Sequence, residues 1–373
     1  MIRIILGTKA QLIKMAPVIL ELQRRQLPHD LILTGQHHET MQDLLDGFAI
    51  PPPDLELIPR MEANTQLKML RWLGLLLWRS GYSMKKRLWQ PKPRIVLVHG
   101  DTLSTLAGAI MAKAAGVPVA HVEAGLRSFN LLHPFPEELT RILVSHLAEV
   151  FYCPGSWAAN HLVPRKDRTI IDTHHNTLLD TLRFALRAHN QTPQPDPLPQ
   201  PYGVVSIHRF ENLSNPRRFQ WIMETIERVS HPIRLRFVLH PATRAKLQST
   251  AWHNRLQATP GITLMERTDY ITFIQLLARS RFLMTDGGSN QEEAAYLGLP
   301  CLLLRQATER QEGLGKNVIL ANDDDQIVDT FVASNVDREW HRLPLPPNEP
   351  SRIIVDHLAT FLSAIPSPRL PPP

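Results

Sequence analysis

The sequence predicts an α/β protein built from two Rossmann-like, doubly wound parallel-sheet domains that face a central cleft. Three observations favour this class. Apolar strand-like runs alternate with amphipathic helix-like runs, the strand-like runs are hydrophobic enough to be covered on both faces, and a proline-rich pause separates two such series. The length of 373 residues, 43% of them hydrophobic, exceeds what one core usually supports and favours two domains.

The first series of elements precedes the proline-rich pause. Strands are predicted at "IRIILG", "DLILTG", "RIVLVHG", "VPVAHV" and "VFYC", and helices at "AQLIKMAPVILELQRR", "STLAGAIMAKAAG" and "EELTRILVSHLA". Gly116 ends the second of these helices, as a left-handed C-terminal cap requires. Strands and helices that alternate in this way form right-handed βαβ units and a parallel sheet.

The second series follows the stretch "NQTPQPDPLPQPYG", residues 190–203, whose proline density excludes a helix and a central strand. It contains the runs "VVSIH", "FQWIMETIERVS", "IRLRFVLHP", "ITLM", "YITFIQLLARS", "RFLMTDGG" and "QEEAAYLGLPCLLL". We expect an N-terminal domain over residues 1–175 and a C-terminal domain over 176–350. A helix over 351–365 is expected to pack back on the N-terminal domain, and a tail over 366–373 is expected to be disordered.

Composition and charge narrow the function classes. The net charge of +6 suits a polyanion, a membrane surface or a phosphorylated small molecule, but no basic array interleaved with aromatic residues indicates nucleic-acid binding. The longest apolar run, "MLRWLGLLLW", has about half the length that spans a bilayer. The adjacent "MKKRLW" is interpreted as a helix with one buried side rather than a membrane-surface contact. Two cysteines and no visible signal peptide fit a cytoplasmic protein.

Polar residues stand where the predicted strands end. In open parallel sheets, ligands bind outside the carboxyl ends of the strands, which would line the cleft of a two-domain protein. The first domain carries "GTKAQ", "TGQHHE", "HGDT" and "HVEAGLR" at these ends, and the second carries "HRFEN", "HPATR" and "TDGGSNQEE". Their shared placement predicts a site at the strand tips.

The stretch "TDGGSNQEE" predicts a diphosphate site. Gly287 and Gly288 leave room for backbone N–H groups to approach a ligand, and Ser289 with Glu292 matches a capping box at a helix start. Glu293 is expected to accept hydrogen bonds from ribose hydroxyls. The basic residues expected to pair with phosphate are Lys9, Lys14, Arg209, Arg305 and Arg310, although Lys14 is also compatible with an ordinary solvated position.

The acidic residues Asp101, Glu123 and Glu137 allow two interpretations. In the favoured one, they act with His208 as acid–base groups on a bound substrate. In the other, the histidines and carboxylates of "HGD" and "HVE" bind a metal ion. We expect no metal, because side chains two residues apart share a sheet face and the histidines can pack beneath the site. Neither a G-x-G-x-x-G nor a Walker motif is present, which disfavours nicotinamide redox chemistry and P-loop kinases.

With these residues collected, the chain resembles the non-hydrolysing bacterial UDP-N-acetylglucosamine 2-epimerases. The matching blocks run from about residue 7 to 315 in the family's order: "GTKAQLIKMAP", "TGQHHE", "VLVHGDTLST", "PVAHVEAGLRS", "PFPEELTR", "HRFENL", "TDGGSNQEEA", "LGLPCLLLR" and "TERQE". The resemblance implies the glycosyltransferase-B fold. It also implies interconversion of UDP-N-acetylglucosamine and UDP-N-acetylmannosamine, through elimination of UDP to 2-acetamidoglucal and its re-addition. It implies no cofactor and a homodimer.

The resemblance also implies roles for particular residues. The family's catalytic set falls on Asp101, Glu123, Glu137 and His208, with Asp101 and Glu123 as the acid and base at carbon 2 in an order left open. The remaining matches place the ribose at Glu293, the diphosphate near Gly287, Gly288, Ser289 and Arg310, uracil near Phe273, and a second, allosteric nucleotide sugar near Gln36, His37, Arg209 and His240.

Three departures from the family pattern lie in the nucleotide-binding blocks. "GTKAQ" replaces the usual "GTRPE", so Lys9 lacks the guanidinium fork and Gln11 lacks a carboxylate; "DGGS" replaces "DSGG", and "TERQE" replaces "TERPE". Nucleotide affinity or nucleotide-sugar identity is therefore open. The alternatives are a hydrolysing epimerase that releases UDP and N-acetylmannosamine, and a nucleotide-sugar-binding protein or glycosyltransferase on the same scaffold.

Overall fold

The computed structural model describes residues 1–35, 41–58, 66–79, 81, 85–130, 136–191, 200–308 and 310–364. The chain divides into two compact units. Unit 1 comprises Met1–Thr181 and the chain from Asn348 onward, and unit 2 comprises Leu182–Pro347. This division lies a few residues from the boundaries proposed from the sequence.

Unit 1 contains one parallel sheet, which has seven strands within the described residues, in the order β3-β2-β1-β4-β5-β6-β7. The strands are β1 (Ile2–Leu6), β2 (His29–Leu33), β3 (Leu55–Glu56), β4 (Ile95–His99), β5 (Val119–Val122), β6 (Val150–Cys153) and β7 (Thr169–Asp172). The helices are α1 (Lys9–Arg24), α2 (Met41–Gly47), α3 (Gln66–Trp78), α4 (Lys85–Trp89), α5 (Leu103–Ala114), α6 (Glu137–Leu147), α7 (Ser156–Ala159) and α8 (Leu178–Gln191), the last of which continues into unit 2.

Unit 2 repeats this plan with a parallel sheet of six strands among the described residues, in the order β10-β9-β8-β11-β12-β13. The strands are β8 (Tyr202–Ser206), β9 (Arg234–Leu239), β10 (Ile262–Glu266), β11 (Leu283–Thr285), β12 (Cys301–Leu303) and β13 (Val318–Leu320). The helices are α9 (Phe210–Ser214), α10 (Pro216–Val229), α11 (Pro241–Gln248), α12 (Trp252–Ala258), α13 (Tyr270–Ala278), α14 (Gly288–Leu297) and α15 (Asp325–Asn335).

The predicted fold class, two doubly wound parallel-sheet α/β units, is confirmed. β1, β4, β5 and β6 are buried along their whole length, as continuous apolar runs in a sheet covered on both faces should be. In unit 1 the strand order reverses between β1 and β4, and in unit 2 it reverses between β8 and β11. The carboxyl ends of these strand pairs are the switch points where ligands bind in such sheets.

The chain returns to unit 1 in its last helix, α16 (Pro350–Ala364). Ile354, Val355 and Leu358 are fully buried on one face of this helix. The hydroxyl of Tyr152 and His357 Nδ1 are hydrogen-bonded at 2.8 Å, which ties α16 to β6. None of the helices in the described part of the chain is long and apolar enough to cross a membrane.

The turn after β1 leaves no room for a side chain at Gly7. A Cβ atom there would lie 1.9 Å from Ser104 Oγ and 2.3 Å from Thr34 Oγ1. We expect Gly7→Ala to lower the free energy of unfolding by about 1–3 kcal/mol, because neighbouring atoms must move apart. Its thermal midpoint should fall by several degrees.

The matched control is Gly74→Ala in α3, where a Cβ would meet no atom within 4 Å. Alanine should leave the thermal midpoint unchanged or raise it, because glycine inside a helix costs up to about 1 kcal/mol. Equal midpoints for the two variants would show that the space around Gly7 is not restricted.

Candidate active site

The carboxyl ends of β4 and β5 bring the predicted acidic residues of unit 1 together. His99, the last residue of β4, pairs in register with Val122, the last residue of β5. The Gly100 N–H donates to the Val122 carbonyl at 2.9 Å, so the turn that carries Asp101 stays attached to the neighbouring strand. Glu123 follows Val122 directly. Two carboxylates therefore leave adjacent strand tips beside the switch point.

Glu123 is held in a buried ion pair. Lys14 Nζ, on α1, lies 2.8 Å from each of its carboxylate oxygens, and both side chains are only 5% exposed. His99 Nε2 lies 3.1 Å from Glu123 Oε2. Charge-assisted bonds of this kind are short and strong, and a buried pair is costly to break because it leaves one charge behind. Lys14 thus occupies a buried position in the site rather than a solvated one.

The backbone of Glu123 adopts a left-handed conformation, with φ of 64°. This conformation costs a non-glycine residue about 1–2 kcal/mol, and such strain persists only where surrounding contacts impose it. The chain turns sharply at this point, since Gly125 also has a positive φ, and a Cβ there would lie 2.1 Å from the Ala158 carbonyl oxygen. The turn therefore aims the Glu123 side chain at Lys14 instead of continuing the strand.

Asp101 belongs to a separate chain of ion pairs. Arg141 of α6 donates from Nε and Nη2 to Asp101 Oδ2 at 2.9 and 2.6 Å, and its Nη1 lies 3.4 Å from Glu138 Oε2. Glu138 is fully buried and also accepts from Arg127 Nε and the Ser128 N–H. Burial alone would raise the pKa of Glu138, but these hydrogen bonds hold it below its usual value. The Asp101 side chain remains 27% exposed.

His121 supports the Asp101 turn from beneath. Its Nε2 donates to the Gly100 carbonyl at 2.7 Å, and burial lowers its pKa to about 4, so the ring is neutral near pH 7. Within the residues that the structure describes, no group of three or more His, Cys, Asp or Glu side chains is arranged to hold a metal ion. His99 and His121 instead contact Glu123 and the Gly100 carbonyl.

Asp286 joins the two strand tips at the switch point of unit 2. It follows β11 directly and is fully buried. Its carboxylate accepts the His208 N–H at 3.0 Å, the Arg209 N–H at 3.0 Å and Asn212 Nδ2 at 2.8 Å. Three donors offset the cost of burying the charge. Asp286 therefore fixes the start of the "HRFEN" segment beside the glycine turn.

The two glycines of the turn admit neighbouring side chains. A Cβ on Gly287 would lie 2.7 Å from His208 Cε1 and 2.7 Å from Asn290 Oδ1. A Cβ on Gly288 would lie 2.8 Å from Arg310 Nε and 3.7 Å from Arg209 Nη2. The missing side chains thus leave room for the His208 imidazole and the Arg310 guanidinium at the start of α14, in addition to exposing backbone N–H groups, and Arg209 lies within ordinary contact distance of the same turn.

The predicted capping box at Ser289 and Glu292 is wrong. The N-cap of α14 is Gly287, and no side-chain hydrogen bond caps it among the described residues. Glu292 is fully buried and pairs with Arg310 instead, because a guanidinium is a stronger partner for a buried carboxylate than a backbone N–H. The helix start is therefore formed by backbone, flanked by arginines.

Glu293 lies within the first turns of α14 and is 2% exposed. Asn290 Nδ2 donates to Glu293 Oε2 at 2.9 Å, and Tyr270 of α13 interacts with the same carboxylate. Burial, and then the Glu293 charge, raises the pKa of Tyr270 well above its usual value. Phe273 lies one turn beyond Tyr270 on α13 and is half-buried.

His208 and His240 stack at the tips of β8 and β9. Their ring centroids are 4.5 Å apart, with an interplanar angle of 30°. His208 Nδ1 lies 3.5 Å from Asp286 Oδ1, and His240 Nε2 lies 3.3 Å from Ser206 Oγ.

In unit 1, Lys9 begins α1 and Glu137 begins α6, and both are half-buried. Gln36 and His37 lie outside the described residues.

Some residues near the strand tips of unit 1 and unit 2 were not predicted as site residues. Arg141 and Glu138 are part of the block "PFPEELTR", where their spacing of three residues on a helix was the available signal. Asp286 stands in "TDGGS" at a strand tip. The same kind of position indicates Asp101 and Glu123 in the first domain, so the signal for Asp286 was present in the sequence. Nothing in the local sequence pairs Tyr270 with Glu293.

Comparisons with a family model and with known proteins point to the same kind of protein, a nucleotide-sugar 2-epimerase. A family model described as UDP-N-acetylglucosamine 2-epimerase matches residues 20–343. The UDP-N-acetylglucosamine 2-epimerase of Methanocaldococcus jannaschii is 30% identical over 90% of this chain and 93% of its own length. A Pseudomonas aeruginosa protein named UDP-2,3-diacetamido-2,3-dideoxy-D-glucuronate 2-epimerase is 33% identical over 87% of this chain and 90% of its own.

A solved structure of similar fold is the Methanocaldococcus jannaschii UDP-GlcNAc 2-epimerase in complex with UDP-GlcNAc and UDP. It superposes with a TM-score of 0.83 at 28% sequence identity and covers 96% of this chain and 99% of its own.

The buried His121 predicts a pH dependence of stability. Its pKa of about 4 lies below the value near 6.5 expected in the unfolded chain. The unfolded state therefore binds more protons between these values, and the stabilisation is present above pH 6.5 and lost as the pH falls towards 4. The loss is about 3 kcal/mol, and unfolding midpoints measured across this range should show it.

The variant His121→Gln places an amide N–H donor at the reach of Nε2, where it can bond the Gly100 carbonyl, but cannot titrate, so its stability should change less between pH 6.5 and 4. His146→Gln, which alters an exposed histidine, is the control and should follow the parent. A His121→Gln profile that matches the parent would show that this ring does not titrate on unfolding.

Proposed function

The chain belongs to the UDP-N-acetylglucosamine 2-epimerase family, and on that premise we propose that it interconverts UDP-N-acetylglucosamine and UDP-N-acetylmannosamine without hydrolysing them. The carbon-2 hydrogen of an intact sugar is not acidic. The proposed reaction therefore breaks the bond between carbon 1 and the UDP oxygen as a base removes the carbon-2 proton, which leaves 2-acetamidoglucal and UDP. A proton then returns to the opposite face of carbon 2, and the UDP oxygen re-adds at carbon 1.

The observation that carries this proposal is the pair of carboxylates at neighbouring strand tips in different environments. Inversion needs a proton-transfer group for each face of carbon 2, and Asp101 and Glu123 leave adjacent strands. Arg141 contacts one Asp101 oxygen, and the side chain is partly exposed. Glu123 is covered and paired with Lys14. We assign Asp101 to the face of carbon 2 that is turned towards solvent, and Glu123 to the opposite face of carbon 2.

The diphosphate and nucleoside are assigned to unit 2. No side chain among the described residues caps the N-terminus of α14, so its backbone N–H groups face the site, and the guanidinium groups of Arg209 and Arg310 flank Gly288. A helix N-terminus and paired arginines are well suited to a leaving diphosphate, since both favour the negative charge that develops. Glu293 is assigned to the ribose, Phe273 to uracil and His208 to the sugar and diphosphate, with Gly287 and Ser289 as further contacts. Lys9, which begins α1 in unit 1, stays a predicted phosphate contact.

A second candidate substrate is UDP-2,3-diacetamido-2,3-dideoxy-D-glucuronate, the compound named for the relative that is 33% identical. Its epimerisation is the same inversion at carbon 2. The extra carboxylate of this sugar would require a cation that UDP-N-acetylglucosamine does not need.

The homodimer, the cytoplasmic location and the allosteric use of Gln36, His37 and His240 stay predictions.

The proposal is tested by incubating the purified protein with each nucleotide sugar in deuterium oxide and following the proton NMR spectrum. We expect UDP-N-acetylglucosamine to acquire deuterium at carbon 2 and UDP-N-acetylmannosamine to accumulate beside it. UDP and free N-acetylmannosamine as the only products would identify a hydrolysing enzyme. Turnover of the diacetamido uronate alone would reassign the substrate, and a protein that binds UDP without any turnover would contradict the enzymatic proposal.

Asp101→Asn should lower the rate of carbon-2 deuterium exchange by about 100-fold or more, since it replaces a proton-transfer group with an amide of the same shape. Binding of UDP, measured by calorimetry, should stay within about twofold of the parent because the assigned nucleotide contacts are unaltered. Asp43→Asn, an exposed change in the same unit, is the control. Parental exchange in Asp101→Asn would remove this residue from the mechanism.

A further inference from the structure

The side chain of Arg218 connects α10 to three other segments of unit 2. It is 14% exposed. Its Nη1 donates to Asp323 Oδ2 at 2.8 Å, in the loop after β13, and its Nη2 donates to the Leu304 carbonyl at 3.1 Å, directly after β12. Its Nε donates to Asn212 Oδ1, in α9. One guanidinium therefore uses three nitrogens on three separate partners near the carboxyl ends of the strands.

The contact with Arg218 sets the orientation of the Asn212 amide. Asn212 is fully buried, and its Nδ2 donates to Asp286 Oδ2 at 2.8 Å and to the Leu304 carbonyl at 3.2 Å. An amide side chain has an acceptor oxygen at one branch and a donor nitrogen at the other, whereas a guanidinium can only donate. Arg218 therefore holds the oxygen of Asn212 on its own side and leaves both hydrogens of Nδ2 for Asp286 and Leu304.

Asn212 in turn supports the carboxylate that fixes the unit 2 strand tips. Asp286 accepts this amide together with the backbone N–H groups of His208 and Arg209. The route from Arg218 to these two residues thus passes through two side chains, Asn212 and Asp286, that are both fully buried. A buried polar network is rigid when its members are paired and loosens when one donor is lost.

The guanidinium is held in place by an unusual loop. Asn322 and Asp323 have φ angles of 52° and 56°, in the left-handed region that residues other than glycine rarely adopt. Such conformations persist where surrounding contacts impose them. The Asp323 carboxylate accepts from Arg218 Nη1 and from Gln306 Nε2, both at 2.8 Å. These contacts bring a carboxylate to one side of the Arg218 fork and keep its Nε directed at Asn212.

We propose that Arg218 is a positioning residue that sets the placement of His208 and Arg209 through Asn212 and Asp286. This inference rests on the proposed function, because those two residues are assigned there to the sugar and the diphosphate. Arg218 acts through other side chains and has no assigned contact with the substrate. Its contribution is geometric, and a displacement of about 1 Å at reacting groups lowers rates by about 100-fold.

The first test is Arg218→Met, which keeps a long side chain but has no hydrogen to donate. Asn212 Oδ1 would lose its charged donor in a buried place, and the amide would no longer be held towards Asp286. We expect kcat for epimerisation to fall by about 10- to 100-fold and Kd for UDP to rise by about 10-fold. Amide hydrogen exchange should accelerate over residues 207–212 and remain parental over β10.

The matched control is Arg217→Met, the same change at the neighbouring exposed position of α10, and it should match the parent in all three measurements. If Arg218→Met has a lower thermal midpoint but parental kcat, Kd and exchange over residues 207–212, Arg218 only stabilises the fold and the proposal is overturned.

A double-mutant cycle with Asn212→Ala tests the route. If Arg218 acts through the Asn212 amide, the Arg218→Met/Asn212→Ala variant should bind UDP within about twofold of Asn212→Ala alone, because no amide remains to be oriented. Losses of affinity that simply add would overturn the route. If Arg218→Met fails to fold, Arg218→Lys replaces it in the cycle. One ammonium cannot reproduce the fork, so the same shifts are expected at smaller size, and parental values would overturn the proposal.

Parent protein without any carbon-2 exchange would instead contradict the proposed function. Hydrogen exchange over residues 207–212 requires no substrate, so it still decides whether Arg218 positions this segment. Faster exchange in Arg218→Met but not in Arg217→Met would support that role, and parental exchange in both variants would overturn it.

Discussion

The buried ion pair between Lys14 and Glu123 is the interaction on which the architecture of unit 1 depends. It lies between α1 and the tip of β5, with both side chains almost fully covered. The Glu123 backbone occupies a left-handed conformation that is unfavourable without support. Two short bonds from one ammonium provide that support. Removing either partner would leave a buried charge, so strand, turn and helix are constrained to one arrangement.

The two units solve the same structural problem with different side chains. A parallel sheet has backbone groups to satisfy at its switch point, where neighbouring strands separate and ligands bind. In unit 1, the amide of Gln11 bridges the tips of β1 and β4. In unit 2, the carboxylate of Asp286 bridges the tips of β11 and β8 by accepting two backbone N–H groups and Asn212. Each unit therefore presents functional side chains from a fixed edge, which favours preorganised chemistry.

Much of the fold and part of the site were predictable from the sequence, because they follow from periodicity and from the geometry of parallel sheets. Alternating strands and helices predicted two doubly wound sheets, and the strand-tip rule selected Asp101 and Glu123. Contacts between distant segments were not predictable. The pairing of Lys14 with Glu123 spans 109 positions, and that of Asp101 with Arg141 spans 40. Local sequence patterns were also misleading where a distant side chain is the stronger partner. Glu292 was expected to cap the start of α14, but it forms an ion pair with Arg310 instead.

We propose that the Lys14–Glu123 pair holds a proton-transfer group in place, beyond stabilising the fold. The decisive measurement is the rate of carbon-2 deuterium exchange in Lys14→Met protein that is folded and saturated with UDP-N-acetylglucosamine. We expect that rate to fall by about 100-fold or more, with UDP still bound. Exchange at the parental rate in folded Lys14→Met protein would contradict it, because Glu123 would then act without the contact that fixes it.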